Sequence, residues 1–322
     1  MIFESKTIDD ILYSSIKSIL KNGIYVQNSS KGPNFEISPS LIILKNPLAR
    51  ISLSKNRGKS FSPLGELLWY LNGNNELEFI KYYINKYIEF SDDGISLYGG
   101  YGPRIFGSSN YKNQFQNCFI KLSEKPDTKH AVIQILHSED LFKVTNDLPC
   151  TNSVQFLIRD KKLNMYVNMR SNDVLYGLSH DIFCFTFLQE IMSRKLQIEL
   201  GNYYHYTASL HLYEDKIEEA NKYLNEGLQS SIIEMPIMPS ENIDSNIKEL
   251  LENEKKIRNG DYSFESRTIP QYWKDILRVL QAFNITKKSI PPEEKKALLL
   301  NINKRFSNDY YQRYIEEKIL AL

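Results

Sequence analysis

The segment from Val154 to Val167 constrains the fold of this chain more than any other. Phe156, Leu157 and Ile158 precede a charged turn, Arg159-Asp160-Lys161-Lys162, and Leu163, Met165, Tyr166 and Val167 follow it. Two short runs rich in β-branched and aromatic residues around a polar turn read as a β-hairpin. A hairpin folds the chain back on itself, so the residues just outside its ends become neighbours. Those residues are Cys150 on one side and Arg170 with Ser171 on the other. A sulfur nucleophile beside a guanidinium and a hydroxyl, a pair suited to a phosphate, points to covalent chemistry on a phosphorylated substrate. Each piece alone has a plainer reading: Pro149-Cys150 fits an inert buried thiol, and Arg170-Ser171 a solvated strand end.

At 322 residues the chain suits one large domain, or one domain with an appendage. Lys and Arg number 40 against 39 acidic residues, so charge gives no reason to expect nucleic acid or a membrane as partner. The opening Met1-Ile2-Phe3-Glu4-Ser5-Lys6 lacks a signal-peptide layout, and no apolar run approaches a membrane span. Cys118, Cys150 and Cys184 have neither paired nor metal-type spacing, which fits a reduced cytoplasm and no bound metal.

Thr7, with Asp10 three residues on, reads as the cap of a first helix whose apolar stripe is Ile8, Ile11, Leu12, Ile16, Ile19 and Leu20, ended by Gly23. Strand-like runs follow at Ile24–Val26 and Leu41–Leu44, separated by a loop at Asn28-Ser-Ser-Lys-Gly-Pro. A further strand is expected at Ala131–Leu136, and Ile182–Met192 is apolar enough for a core helix that takes in Cys184. From Ser240 the chain is helical in period: 247–256, 270–283, 292–301 and 306–322. Trp273, Ile276, Leu277, Val279 and Leu280 give these helices a packing stripe.

The motifs together resemble the thymidylate synthase family. Pro149-Cys150, Gln155-Phe156, Arg170-Ser171-Asn172-Asp173, Gly177 and Asp181 match its central signature, and Glu66-Leu-Leu-Trp69-Tyr-Leu71 matches its Glu-Leu-Leu-Trp-Phe-Leu helix. The runs after Cys150 and around Asn168–Val174 look most like the branch that hydroxymethylates deoxycytidylate. The likeness implies an α/β (α+β) fold: a mixed sheet with flanking helices and a homodimer formed through the sheet face. It covers a catalytic domain over 1–239, where the recognisable motifs end, and leaves 240–322 as a helical C-terminal extension.

The resemblance also implies roles. Cys150 would be the nucleophile, with Glu66 and Tyr101 moving protons. Desolvation among Leu64, Leu67, Leu68 and Trp69 would raise the Glu66 pKa. Arg170 and Ser171 would hold the nucleotide phosphate, and His211 with Tyr213 the sugar. Asp173, Gly177, Arg57, Tyr87 and Phe90 would line the site for 5,10-methylenetetrahydrofolate. Lys31 is the nearest candidate for a phosphate contact from the loop, and equally a solvated charge. Tyr101 is likewise open to a structural reading. Lys129 and His130 stand where the family has two arginines that reach the neighbouring subunit's phosphate. Lys129 keeps the charge without the bidentate fork, a departure that leaves CMP open beside dCMP.

Asp181 stands where the family's usual Asn reads uracil. A carboxylate accepts from the cytosine 4-amino group, and from N3 once that atom is protonated, so this position implies a cytidylate. The expectation is therefore C5-hydroxymethylation of a cytidylate. A thymidylate synthase acting on dUMP and a catalytically silent relative serving as a binding protein remain as alternatives. Asp181 and Thr151 speak against the first, and the set of Glu66, Cys150, Arg170 and Asp173 against the second.

Overall fold

The computed structural model describes residues 1–55, 60–228, 232–262, 266 and 268–322. Its N-terminal part runs β1 (Ile2–Ser5), α1 (Ile8–Asn22), β2 (Ile24–Val26), β3 (Asn34–Ile37), β4 (Ser40–Leu44), α2 (Phe61–Leu71) and α3 (Leu77–Tyr83). After a 3-10 turn over Asn85–Phe90 come α4 (Tyr101–Phe106), α5 (Gln114–Glu124), β5 (Val132–Gln134), β6 (Thr151–Arg159) and β7 (Lys162–Asp173). The crossover helix α6 (Gly177–Leu196) leads to β8 (Glu199–Tyr213) and α7 (Ile217–Asn225). Four helices close the chain: α8 (Ile243–Arg258), α9 (Gln271–Lys287), α10 (Pro292–Asn303) and α11 (Gln312–Leu320).

Local chemistry sets these elements as the sequence suggests. The Thr7 hydroxyl accepts the Asp10 N–H at 3.2 Å, and the stripe from Ile8 to Ile19 is buried. Gly23 ends α1 in an extended conformation, not a left-handed one. Glycine is needed there because a Cβ would sit 2.5 Å from the Ile19 carbonyl oxygen. The hairpin turns on Asp160 and Lys161, both at positive φ, the two-residue turn whose twist matches its strands.

The sheet is mixed, in the order β1-β4-β8-β7-β6-β5, with β3 also on β8 and β2 on β3. β7 and β8 run parallel, as do β1 and β4; the other pairs are antiparallel. Joining the two parallel central strands requires a crossover, which α6 supplies. It packs against the sheet and against α2. The other sheet face leaves Tyr206 exposed and Tyr166 stacked on Tyr204 at 4.6 Å. This is the α/β arrangement of mixed sheet, flanking helices and C-terminal helices that the motifs imply.

The C-terminal helices share the core of the rest. Trp273, Ile276, Leu277, Val279 and Leu280 are buried in one cluster with α2, α6 and the sheet. Phe283 stacks on Tyr83 at 5.4 Å and meets Phe61 at 5.3 Å, so α9 braces α3 and also α2, the helix that carries Glu66. Among the described residues no helix is long and apolar enough to cross a membrane.

Candidate active site

Cys150 lies immediately before β6, half-buried, while Cys118 and Cys184 are buried. Its sulfur is 3.6 Å from Arg170 Nη2 and 3.9 Å from Ser171 Oγ, across the antiparallel β6–β7 pair. Arg170 is anchored as well as charged: Nε donates to the Pro149 carbonyl at 3.1 Å and Nη2 to that of Leu148 at 3.0 Å. The guanidinium therefore fixes the loop that presents the sulfur.

Tyr101, at the start of α4, closes the other side. Its hydroxyl accepts from the Thr151 N–H at 3.1 Å and the Thr151 hydroxyl at 3.0 Å, which leaves its own proton for another partner. Burial first, then the charges of Cys150 and Asp181, push its pKa far above the usual tyrosine range. A functional Tyr101 would therefore act as a neutral donor.

Glu66 is buried on α2, and here the expectation of a raised pKa fails. Desolvation is the largest single influence and does raise it, but hydrogen bonds outweigh it. His180 Nδ1 lies 2.7 Å from Oε2, and the hydroxyls of Tyr70 and Tyr87 each donate to Oε1 at 2.7 Å. The net result is a carboxyl held below the usual range, ionised at neutral pH. His180 was not anticipated. Its one signal in the sequence is its place directly before Asp181 in the first turn of an apolar helix.

Asp181, on the same helix, is half-buried. Its Oδ2 accepts from Asn172 Nδ2 at 3.1 Å. Burial, with the Glu66 charge second, pushes its carboxyl well above the usual range. Asn172 was also missed as a contributor. Its amide nitrogen lies 3.1 Å from His205 Nε2, whose Nδ1 is 2.8 Å from the Tyr203 hydroxyl. Because the amide nitrogen donates, Nε2 must accept, which puts the imidazole proton on Nδ1 facing Tyr203. Burial lowers the His205 pKa to about 3, so the ring is neutral. Gly177 makes room for this arrangement, since a Cβ there would lie 2.8 Å from Asn172 Oδ1.

Asp173 accepts from the backbone N–H groups of Leu175 and Tyr176 at 3.0 and 3.2 Å, and it is paired in register with His211 on β8. His211 is buried, its pKa lowered by desolvation against the opposing charge of Asp173. Tyr213 packs edge-on against His211 at 4.9 Å, and burial raises its hydroxyl to about 12. Tyr87 and Phe90 form an aromatic wall with Trp69, at centroid separations of 5.6 and 6.0 Å. Lys31 sits over the Phe90 ring at 3.8 Å, so this loop cation reaches the aromatic wall. Arg57 lies outside the described residues.

Lys129 and His130 are exposed and are not brought to this cluster. The next residue, Ala131, bonds to Phe156 on β6, six residues along from Cys150. At roughly 3.3 Å per residue that is about 20 Å from the sulfur of their own chain.

The thymidylate synthase family model matches residues 16–265. The chain belongs to the thymidylate synthase family. The match runs past Pro239 and through α8. Over 218 residues the chain is 33% identical to the deoxyuridylate hydroxymethyltransferase of Bacillus phage SP01, covering 63% of this chain and 57% of that protein. Over 85 residues it is 40% identical to the deoxycytidylate 5-hydroxymethyltransferase of Enterobacteria phage T4, covering 25% of this chain and 34% of that one. The thymidylate synthase of Buchnera aphidicola is 27% identical over 223 residues, covering 65% and 81%. Matched segments span 57 to 63% of the length of the deoxyuridylate enzymes from the Bacillus, Pseudomonas and Delftia phages.

Proposed function

We propose that the protein hydroxymethylates C5 of a cytidylate, dCMP or CMP, through a covalent adduct with Cys150. The observation that carries this reading is Asp181, a half-buried carboxyl held by Asn172 where the base edge would be read. Either ionisation state of Asp181 pairs with cytosine. A neutral acid donates to N3 and accepts from the 4-amino group, and a carboxylate accepts from both once N3 is protonated. Uracil, with N3–H and O4, satisfies only the neutral acid.

C5 of a pyrimidine becomes nucleophilic once C6 has been attacked. The Cys150 sulfur supplies that attack, with Arg170 and Ser171 beside it as phosphate partners. Tyr101 and Glu66 carry protons: the tyrosine as a neutral donor, Glu66 as the ionised acceptor that takes a proton from water or C5. His211 and Tyr213 on β8 face the sugar. The wall of Trp69, Tyr87 and Phe90, with the Asp173 carboxylate acceptor, fits a flat heteroaromatic carrying N–H donors. Bound there, 5,10-methylenetetrahydrofolate, the one-carbon donor of this family, would supply the carbon at the formaldehyde level. Gly177 lines the same side of the site in this reading, and Lys31 is the loop's candidate for the phosphate.

The active unit is a homodimer through the uncovered sheet face, with Lys129 and His130 serving the partner's phosphate. The distance from their own Cys150 supports that sharing. A second reading, a uridylate substrate, is favoured by the three phage relatives named as deoxyuridylate hydroxymethyltransferases. Incubation with dCMP, CMP or dUMP plus methylenetetrahydrofolate, followed by weighing the product, tests the proposal. A hydroxymethylated cytidylate is expected. A methylated uridylate would overturn it.

A further inference from the structure

His180 belongs to α6, yet both of its ring nitrogens are engaged by α2. Nδ1 stands 2.7 Å from Glu66 Oε2 and Nε2 stands 3.1 Å from Ser62 Oγ, two positions one helical turn apart. With Glu66 ionised, Nδ1 carries the proton it donates, and in the neutral ring Nε2 then accepts from the Ser62 hydroxyl. A carboxylate offers about four lone-pair sites. Tyr70 and Tyr87 occupy both on Oε1 and His180 occupies one on Oε2, so one is left. The outer edge of the imidazole is not sealed. The side chain is 20% exposed and lines a small hollow with Arg50, Ser52, Tyr176, Ser179 and Phe183.

We propose that His180 is the positioning residue for Glu66: it fixes which lone pair of the carboxylate stays free for a proton, and it links that carboxylate through Ser62 to the hollow. A proton passed from Nδ1 to Oε2 is replaced at Nε2 from the Ser62 side. The reverse sequence carries one out, and neither leaves a net charge on the ring. The proposal rests on the reading of Glu66 as the proton carrier given above.

Other ionisable groups near this pair have to be kept apart from it. Tyr70 on α2, Tyr87 on the 3-10 turn and Cys184 on α6 are all held protonated by burial. Asp181 on α6 titrates above Glu66, and Arg50 and Tyr176 face His180 across the hollow. A direct reading of Glu66 is therefore required.

Isotope-edited infrared titration of the full chain, with Glu66→Gln as the blank, isolates that carboxyl. His180→Phe should raise the Glu66 midpoint by about one pH unit or more. Its kcat at neutral pH should fall roughly tenfold, the scale of a misplaced proton carrier, while the affinity for cytidylate stays within about twofold. His180→Asn can replace the N–H donor but not the two-sided relay. It should return the midpoint toward that of the wild type while kcat stays low. A folded His180→Phe protein with an unshifted Glu66 midpoint overturns the positioning role, and wild-type kcat in His180→Asn overturns the relay. The infrared reading needs no turnover. If the wild type transforms no pyrimidine nucleotide but the midpoint still moves, the one-carbon reading fails and this one stands.

Discussion

Asn172 Nδ2 lies 3.1 Å from Asp181 Oδ2 and 3.1 Å from His205 Nε2, so one amide spends its two hydrogens on the acid and on a buried neutral imidazole. The residue proposed to read the base is thereby held from behind by an amide that is itself tied to the imidazole.

Replacing Asp181 by Asn should weaken or invert the preference for cytidylate. An ionised Asp181 opposite uracil O4 leaves acceptor facing acceptor, and an unpaired buried polar group costs roughly 1–3 kcal/mol. At ~1.4 kcal/mol per decade, the wild type should favour cytidylate by roughly ten- to several-hundred-fold where Asp181 is ionised. Competition between dCMP and dUMP measures this. Phosphate binding through Arg170 and Ser171 should be unaffected, as inhibition by inorganic phosphate will report.

The same preference should depend on pH. The Asp181 pKa lies well above the ordinary carboxylate range, so the acid is neutral on the low side of that value and accepts uracil there. As pH rises through it, the carboxylate forms and uracil is rejected. Discrimination should therefore grow with pH. Asn172→Ala removes a bond that lowers the Asp181 pKa, and should move this rise to higher pH. A cytidylate preference independent of pH in both proteins would contradict this assignment.

Stability should fall on acidification partly through His205. Its folded pKa of about 3 lies below the ~6.5 of an unfolded histidine, so the unfolded state binds the proton first. The contribution is complete above pH ~6.5 and is lost at up to about 1.4 kcal/mol per unit down to about pH 3. Urea titrations across that window should show a shallower slope for His205→Gln than for the wild type.

Mixing Lys129→Ala chains with Cys150→Ser chains should restore part of the activity. One of the two sites in the hybrid dimer then carries both wild-type residues. Absence of recovery, with heterodimers demonstrated by native mass spectrometry, would count against a shared site. A monomer at working concentration would count equally against it.

Turnover should release tetrahydrofolate and no dihydrofolate, because water completes the reaction where a thymidylate synthase would use hydride. The absorbance rise that marks dihydrofolate should be missing. Its appearance would favour methylation.

Much of the fold was legible because it rests on local patterns. The two sheet-forming runs around the charged turn Arg159–Lys162 marked the hairpin, Thr7 with Asp10 marked the first cap, and the stripe around Trp273 revealed packed C-terminal helices. The site was legible as a set of motifs, but its electrostatics were not. Burial of Glu66 could be read from Leu64, Leu67, Leu68 and Trp69. Its ionisation could not, because His180 and Tyr87 reach it from two other elements. Asn172 lay inside the motif, yet its bond to Asp181 exists only once α6 turns that acid back over the end of β7. Lys129 kept its place in the motif while the sheet carried it away from its own Cys150.

The most direct test of the central claim is a one-pot competition between dUMP and each cytidylate, run above the pH at which Asp181 ionises, with the products weighed. The account predicts hydroxymethylated cytidylate formed roughly ten- to several-hundred-fold faster than any uridylate product. Equal or faster conversion of dUMP would show that Asp181 does not select cytosine, and would contradict it.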